Sequence, residues 1–250
     1  MQQRGLLGFT VLMLVGLAVL IGLGVWQLKR LAWKEGLIAQ IETRSTGEPI
    51  KLKEALAMVG KGRDPSYYRV RVDGRFHHAK ELYLYSTSNE RVGWEVITPL
   101  ETADGDMVLV DRGFVPDELK DPSSRALGEV ETVVTVTGIV RKPETQGLFM
   151  PDNEPAANRW FWRDLQGMAR ADFPSGTIQV APFFLEAEKS DVPGGWPEGG
   201  QSRLELPNNH LQYAITWFLM AVALLVIYGL YVRSVYRAGR RPVAGEPGDR

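Results

Sequence analysis

Residues 207–218 read PNNHLQYAITWF, and they place a histidine at the start of a long uncharged segment. No residue is charged from Leu211 to Val232, and a helix of that length spans about 33 Å, enough to cross a hydrocarbon core of ~30 Å. Asn209 is a favourable N-cap residue, and Gln212 occupies the position from which a capping-box side chain bonds back to the cap. The pattern predicts a transmembrane helix over 211–232 that begins near His210, at the edge of the membrane.

The position of His210 has a chemical consequence. The first turn of a helix carries the positive end of the helix dipole, which disfavours a protonated imidazole and leaves one ring nitrogen with a lone pair. Tyr213 and Ala214 follow one turn later and Trp217 two turns later, on the same face. The small Ala214 between two aromatic rings would leave room for a flat macrocycle. A simpler interpretation also fits, in which His210 is an interfacial residue and Trp217 contacts lipid, and the spacing leaves both open.

A second uncharged segment covers residues 5–28 near the amino terminus. Its length suits a transmembrane helix, and it is long for the apolar region of a signal peptide. No small-residue cleavage pattern follows it, because Lys29, Arg30 and Lys34 come next. The segment is therefore predicted to be an uncleaved membrane anchor.

Basic residues after the second apolar segment predict the orientation. Four arginines follow Val232 closely, and positive residues favour the cytoplasmic side of a membrane; they are Arg233, Arg237, Arg240 and Arg241. Two spans then place both termini in the cytoplasm and residues 29–206 outside. The end of the chain, 233–250, is basic and then rich in Gly and Pro, which predicts a disordered cytoplasmic tail.

Aromatic and basic residues alternate where the first span ends. Trp26, Arg30 and Trp33 recur at helical spacing and form one stripe at the predicted outer surface. Such a stripe is typical of a membrane-interface belt with snorkelling bases. A second interpretation is that Arg30 or Lys29 pairs with an anionic group at the same depth as His210.

Composition excludes several classes of function. The net charge of −1, without a basic stripe in the middle of the chain, argues against a nucleic-acid partner. The chain contains no cysteine, which excludes CxxC redox chemistry and a thiolate site for soft metals. None of the common catalytic motifs is present, so the sequence predicts a protein that is not an enzyme and leaves a membrane-anchored hydrolase or sensor as a minor alternative.

The segment between the apolar runs carries the patterns of a β domain. From Tyr68 to Phe76, apolar and polar residues alternate as in a half-buried strand. Further strands are predicted at 94–100, 107–110, 131–141 and 178–185, and short helices at 52–59 and 165–171. The predicted class is an α+β membrane protein, in which two transmembrane helices flank an external, mainly antiparallel β domain that forms a sheet or a partly open barrel.

Two further expectations concern this domain. Residues 82–85 are expected to form a hairpin with the strand at 68–76, across a turn that contains His77 and His78. Adjacent side chains on a strand point to opposite faces, so these two histidines make a poor metal-binding pair.

The aromatic residues at 160–162 and 183–184 look exposed and could contact a partner protein.

Four blocks of the sequence resemble those of a known family. They read GVWQLKR at 24–30, YRVRVDGRF at 68–76, RGFVP at 112–116 and NNHLQYA at 208–214. In order and spacing they are similar to the signature blocks of the Surfeit locus protein 1 family, from the first span to the second. The chain departs from the family pattern at Phe114, in the third block, and at Phe218, shortly after the fourth, where other members can carry Trp or Tyr.

The resemblance implies a cytochrome c oxidase assembly factor, here in a bacterial inner membrane, that assists the insertion of haem a into oxidase subunit I. In bacterial members the histidine that opens the second span is associated with haem binding, together with the tryptophan a heptad later; these fall on His210 and Trp217. His210 is thus the expected iron ligand, with Trp217, Tyr213, Arg30 and Trp26 around the haem. Its propionates are expected near Arg30, Lys29 or Arg203.

The expected partners are oxidase subunit I, haem a synthase and membrane lipid. An alternative of another class remains open, in which the protein is a haem-independent scaffold that holds oxidase subunits during assembly.

Overall fold

The computed structural model describes residues 2–88, 90–176, 178–200 and 207–238. The chain divides into two compact units, a helical unit of Met1–Ala39 with Glu205–Arg250 and a β-rich unit of Gln40–Leu204. The last predicted arginines, Arg240 and Arg241, lie outside the described residues, as does Arg203.

The helical unit is formed by the two apolar segments. Helix α1 covers Gln2–Thr46 and continues without a break through residue 29, the predicted boundary of the membrane. Helix α4 covers His210–Ala238, so it begins at the predicted residue. It also includes the first residues of the tail predicted to be disordered, up to Ala238, and the rest of that tail lies outside the described residues. Both helices are long and apolar enough to cross a membrane.

The two helices pack against each other in antiparallel order. Near the start of α1, the hydroxyls of Thr10 and Tyr228 lie 2.7 Å apart. Further along, Gly24 lies so close to the Phe218 ring that an added Cβ would stand 2.7 Å from it. Buried and partly buried residues of α1 recur at a heptad spacing, the spacing of helices that pack along a common seam; they include Met13, Leu20, Gln27 and Lys34.

The described part of the β-rich unit contains seven strands and two α-helices in addition to the end of α1. The strands are β1 (Ile50–Lys51), β2 (Arg69–Phe76), β3 (Leu82–Ser88), β4 (Arg91–Thr102), β5 (Met107–Pro116), β6 (Val134–Arg141) and β7 (Val180–Ala187). The helices are α2 (Leu52–Gly60) and α3 (Leu165–Asp172), and the Asp164 side chain caps α3 by accepting a hydrogen bond from the Gly167 amide. All six predicted strands and both predicted helices are therefore present, with shifted ends.

Five strands close into a barrel-like sheet in the order β2-β6-β7-β5-β4, because β4 pairs again with β2. The pairs are antiparallel except β5 with β7, which is parallel. Closure leaves β5 between two neighbours, and its residues from Met107 to Val115 are all buried. The predicted mainly antiparallel β domain is confirmed, in its barrel form.

The predicted hairpin between the strand at 68–76 and residues 82–85 is wrong. Strand β3 pairs along its whole length with β4, from Leu82 opposite Ile97 to Ser88 opposite Arg91. The end of β2 pairs instead with the end of β4, with Gly74 opposite Thr102. This pairing closes the barrel, so the end of β2 is hydrogen-bonded without a local hairpin.

The aromatic residues expected at the surface are mostly core residues. Trp160, Phe183 and Phe184 are buried, and Phe161 and Trp162 are partly buried. Trp160 fills a cluster with Leu84, Met168 and Phe184 because its backbone pairs with the edge of β3. The expectation of exposure is wrong for these three residues, since an aromatic run in a short segment of the sequence gives no sign of which element will cover it.

Candidate functional site

His210 is the first residue of α4 and lies against α1. Its Nδ1 atom is 2.7 Å from the side-chain oxygen of Gln27, a residue 183 positions earlier in the chain. Among the described residues, its Nε2 atom has no hydrogen-bond partner. One ring nitrogen of His210 is thus held by Gln27, and the other has no such contact in the described part of the chain.

The residues that follow His210 differ from the expected arrangement in one respect. Ala214 is only 1 % exposed. Its small side chain allows close contact with α1, so the space beside it is filled by protein rather than left open under the histidine. Trp217 is partly buried and Tyr213 is exposed, so these two rings are the ones that a ligand of His210 could contact.

The stripe on α1 is present, and it faces away from the seam. Trp26 and Trp33 are both more than half exposed. The guanidinium carbon of Arg30 lies 3.9 Å from the centre of the Trp33 ring, a cation–π contact. The structure does not bring Arg30 or Trp26 into contact with His210, and their part in a shared site stays a prediction.

Two residues close to His210 were not identified as site residues from the sequence. Gln27 contacts the imidazole, and the Lys34 ammonium donates a hydrogen bond to the carbonyl oxygen of Pro207, three residues before His210. The heptad spacing of Gln27 and Lys34 on α1 is the signal that could have placed both on the seam.

A second group of titratable residues lies in the β-rich unit, around Glu81. Its carboxylate accepts a hydrogen bond of 2.9 Å from Arg112 and is also bound by Arg125. His78 stands at the edge of this group, with Nδ1 2.9 Å from an oxygen of Glu129. The sequence predicts that His78 is a turn residue, and its backbone does lie in a short 3-10 helix, His78–Lys80. Its side chain, however, belongs to a buried ionic cluster.

The surroundings shift two pKa values in this cluster. Burial lowers the pKa of His78, but hydrogen bonds to Glu129 and Glu81 outweigh it and raise the pKa to about 9. Burial raises the pKa of Glu81, but hydrogen bonds with His78 and Arg125 outweigh it and lower the pKa to about 2. Both groups are therefore charged at neutral pH.

His78, Glu81 and Glu129 offer ligand atoms within 4.8 Å of one another, as a metal site would. The carboxylates are, however, already paired with Arg112 and Arg125. A divalent cation there would be repelled by two guanidinium groups at contact distance. The chemistry of this set fits a structural ion-pair cluster rather than a metal centre.

These features define a membrane-anchored protein whose closed β-barrel domain is joined at both ends to a long apolar helix. A family model described as the SURF1 family matches residues 14–222. The chain belongs to the SURF1 family, which is the family that the four sequence blocks indicated.

Relatives match over most of the chain. Surfeit locus protein 1 of Homo sapiens is 37% identical over 245 residues, which cover 91% of this chain and 75% of the human protein. A SURF1-like protein of Monosiga brevicollis is 37% identical over 223 residues, covering 84% of this chain and 82% of that protein. A SURF1-like protein of Drosophila melanogaster is 34% identical over 225 residues, which cover 82% of this chain and 71% of the Drosophila protein.

Proposed function

We propose that this protein assists the assembly of cytochrome c oxidase by holding haem a transiently at the outer membrane interface, with His210 as an axial ligand, before the haem enters oxidase subunit I. The SURF1 family is a family of cytochrome c oxidase assembly factors. In this proposal the protein lies in a bacterial inner membrane with both termini cytoplasmic and the barrel domain periplasmic. It receives haem a from haem a synthase and catalyses no reaction itself.

The observation that carries the proposal is that the Nε2 atom of His210 has no hydrogen-bond partner among the residues that the structure describes. A neutral imidazole nitrogen with a lone pair is a common axial ligand of haem iron. Here that nitrogen is at the first residue of an apolar helix and has no partner among the described residues. A buried side-chain oxygen of Asn208, two residues earlier, also lacks a described partner, as expected where a ligand completes a site.

The neighbouring residues suit a haem as cargo. Tyr213 and Trp217 would hold the macrocycle by apolar contact, since both rings are at least partly accessible. Arg30, beside Trp26 on α1, would attract the propionates from the membrane surface. The haem supplies the iron that His210 binds, and the protein supplies its position and its exclusion from water.

Haem content of the His210→Ala protein tests the proposal. The protein is co-expressed with haem a biosynthesis, purified in detergent, and its haem is measured by absorbance. We expect haem content to fall by more than about tenfold, because the loss of even an outer-shell partner of a metal site costs about 10–100-fold in affinity. Unchanged haem content would refute the proposal.

The chain offers a matched control, because it contains three histidines. His78 is held in the buried cluster, whereas His77 lies in the surface turn and bonds to Glu101 at 2.8 Å. His77→Ala should therefore keep the haem content of the unmodified protein. A loss of equal size in both variants would show that the effect is not specific to His210.

A second candidate function is a scaffold that holds oxidase subunits without binding haem. Burial of Trp160, Phe183 and Phe184 removes the aromatic surface that first suggested it. A different surface favours it, because Leu148 and Phe149 are 92% and 94% exposed. They lie in a loop held by hydrogen bonds from Gln146 to Met150 and Asp152. Normal co-purification of subunit I, with normal haem a in the finished oxidase, in the His210→Ala strain would favour the scaffold.

A further inference from the structure

We propose that Gln27 is a positioning residue for His210, which holds the imidazole in the tautomer that presents Nε2 to the iron. The part of this inference that concerns haem rests on the proposed function. Its structural part, the tautomer of His210, can be tested without haem.

The contact determines which ring nitrogen carries the proton. The Gln27 side-chain oxygen lies 2.7 Å from His210 Nδ1 and has no hydrogen to donate. Nδ1 must therefore carry the proton and donate it to the oxygen. In a neutral ring, Nε2 is then the atom with the lone pair.

The position of Gln27 in α1 supports a specific role. Its side chain is only 9% exposed, whereas its neighbours Trp26 and Leu28 point outward. A buried amide in an otherwise apolar helix costs free energy unless it is hydrogen-bonded. Among the described residues its only side-chain partner is His210, so this one contact satisfies the buried amide.

A second contact, one heptad further along α1, anchors the chain just before α4. Lys34 donates to the Pro207 carbonyl oxygen and so anchors the backbone just before His210. Gln27 orients the ring and Lys34 anchors the chain that carries it. Outer-shell hydrogen bonds of this kind fix the orientation of a ligating imidazole and raise its basicity.

The first test measures the tautomer of His210 in the full-length, haem-free protein, labelled with ¹⁵N histidine in lipid nanodiscs. We expect the proton on Nδ1 in the unmodified chain and a mixture of tautomers in Gln27→Leu. Gln27→Glu should keep the proton on Nδ1, because a carboxylate is also an acceptor. Thr216→Val, on the exposed side of α4, is the matched control and should leave the signal unchanged.

The second test measures haem binding and the midpoint potential of the bound iron in the same variants. We expect Gln27→Leu to bind haem about 10–100-fold more weakly. Gln27→Glu should restore binding and lower the midpoint potential, since a charged acceptor makes the imidazole a stronger donor. A purely structural role of Gln27 would not lower the potential in Gln27→Glu.

The two measurements separate the two proposals. An unchanged His210 tautomer in Gln27→Leu would overturn the role of Gln27, whatever the haem result. A changed tautomer, with no haem bound by the unmodified protein or any variant, would overturn the proposed function and leave the hydrogen bond as described.

Discussion

Glu81 shows at the scale of single residues how the barrel domain tolerates buried charge. Its side chain is 1% exposed, and two guanidinium groups, of Arg112 and Arg125, bind its carboxylate. A buried charge loses its hydration. It is tolerated in a folded protein only where opposite charges and hydrogen bonds compensate for that loss. Glu129 and His78 complete the group at its more exposed side.

Glu81→Gln should lower the free energy of unfolding of the barrel domain by about 3–5 kcal/mol, because it leaves two buried arginines short of a counter-charge. Chemical unfolding of the full-length protein in detergent, followed by tryptophan fluorescence, measures the change. Glu101→Gln is the control, since Glu101 forms an exposed pair with His77 and should cost less than about 1 kcal/mol. Equal costs for the two variants would contradict the balanced-group explanation.

The helix pair is the element that positions the candidate site. Gly24 allows the Phe218 ring to approach α1 closely, three residues before Gln27. Ala214, four residues after His210, provides the corresponding small side chain on α4. Close approach of the backbones at small residues is the usual way in which membrane helices pack.

Gly24→Leu should therefore separate the helices near Gln27 and lower the stability of the helix pair by about 1–3 kcal/mol, the usual cost of overpacking. Gly22 is a matched control on the same helix, because an added Cβ there would meet nothing within 4 Å. Unfolding in mixed micelles compares Gly24→Leu with Gly22→Leu. Haem binding should fall only in Gly24→Leu, and an equal effect of both substitutions would rule out the packing explanation.

At the scale of the whole barrel domain, Arg163 joins parts of the chain that are distant in sequence. Its guanidinium pairs with Glu95 on β4, with Asp111 on β5 at 2.8 Å and with Glu144 in a loop at 3.2 Å. Burial and the neighbouring Asp111 raise the pKa of Glu95 to about 8. Asp111 also accepts a hydrogen bond of 3.1 Å from the Gly113 amide.

This predicts a pH dependence of domain stability. Between pH 4.5 and about 8 the folded state keeps a proton on Glu95 that the unfolded state releases, so stability falls as pH rises through this window. Glu95→Gln has no ionisable group at this position. The stability of this variant should therefore fall less as the pH rises from 4.5 to about 8. Thermal unfolding at a series of pH values compares the two proteins, and parallel pH profiles would contradict the assignment.

Sequence patterns predicted much of the fold because they are local. Alternation from Tyr68 to Phe76 follows from one face of β2 being buried, and the start of α4 at His210 follows from the apolar run after it. Strand partners were less predictable, since β2 could satisfy its edge with β3 or with β4. In the structure β2 pairs with β4, which closes the barrel. No short-range pattern in the sequence predicts that closure.

The sequence by itself determined two apolar helices, a β domain between them and a histidine at the start of the second helix, because hydrophobic periodicity and capping act within a few residues. Only the tertiary structure decided what touches that histidine. Gln27 reaches His210 across 183 positions, and Glu129 reaches His78 across the barrel domain. Such contacts depend on the packing of whole elements, since a buried polar group bonds to whichever partner the fold places beside it.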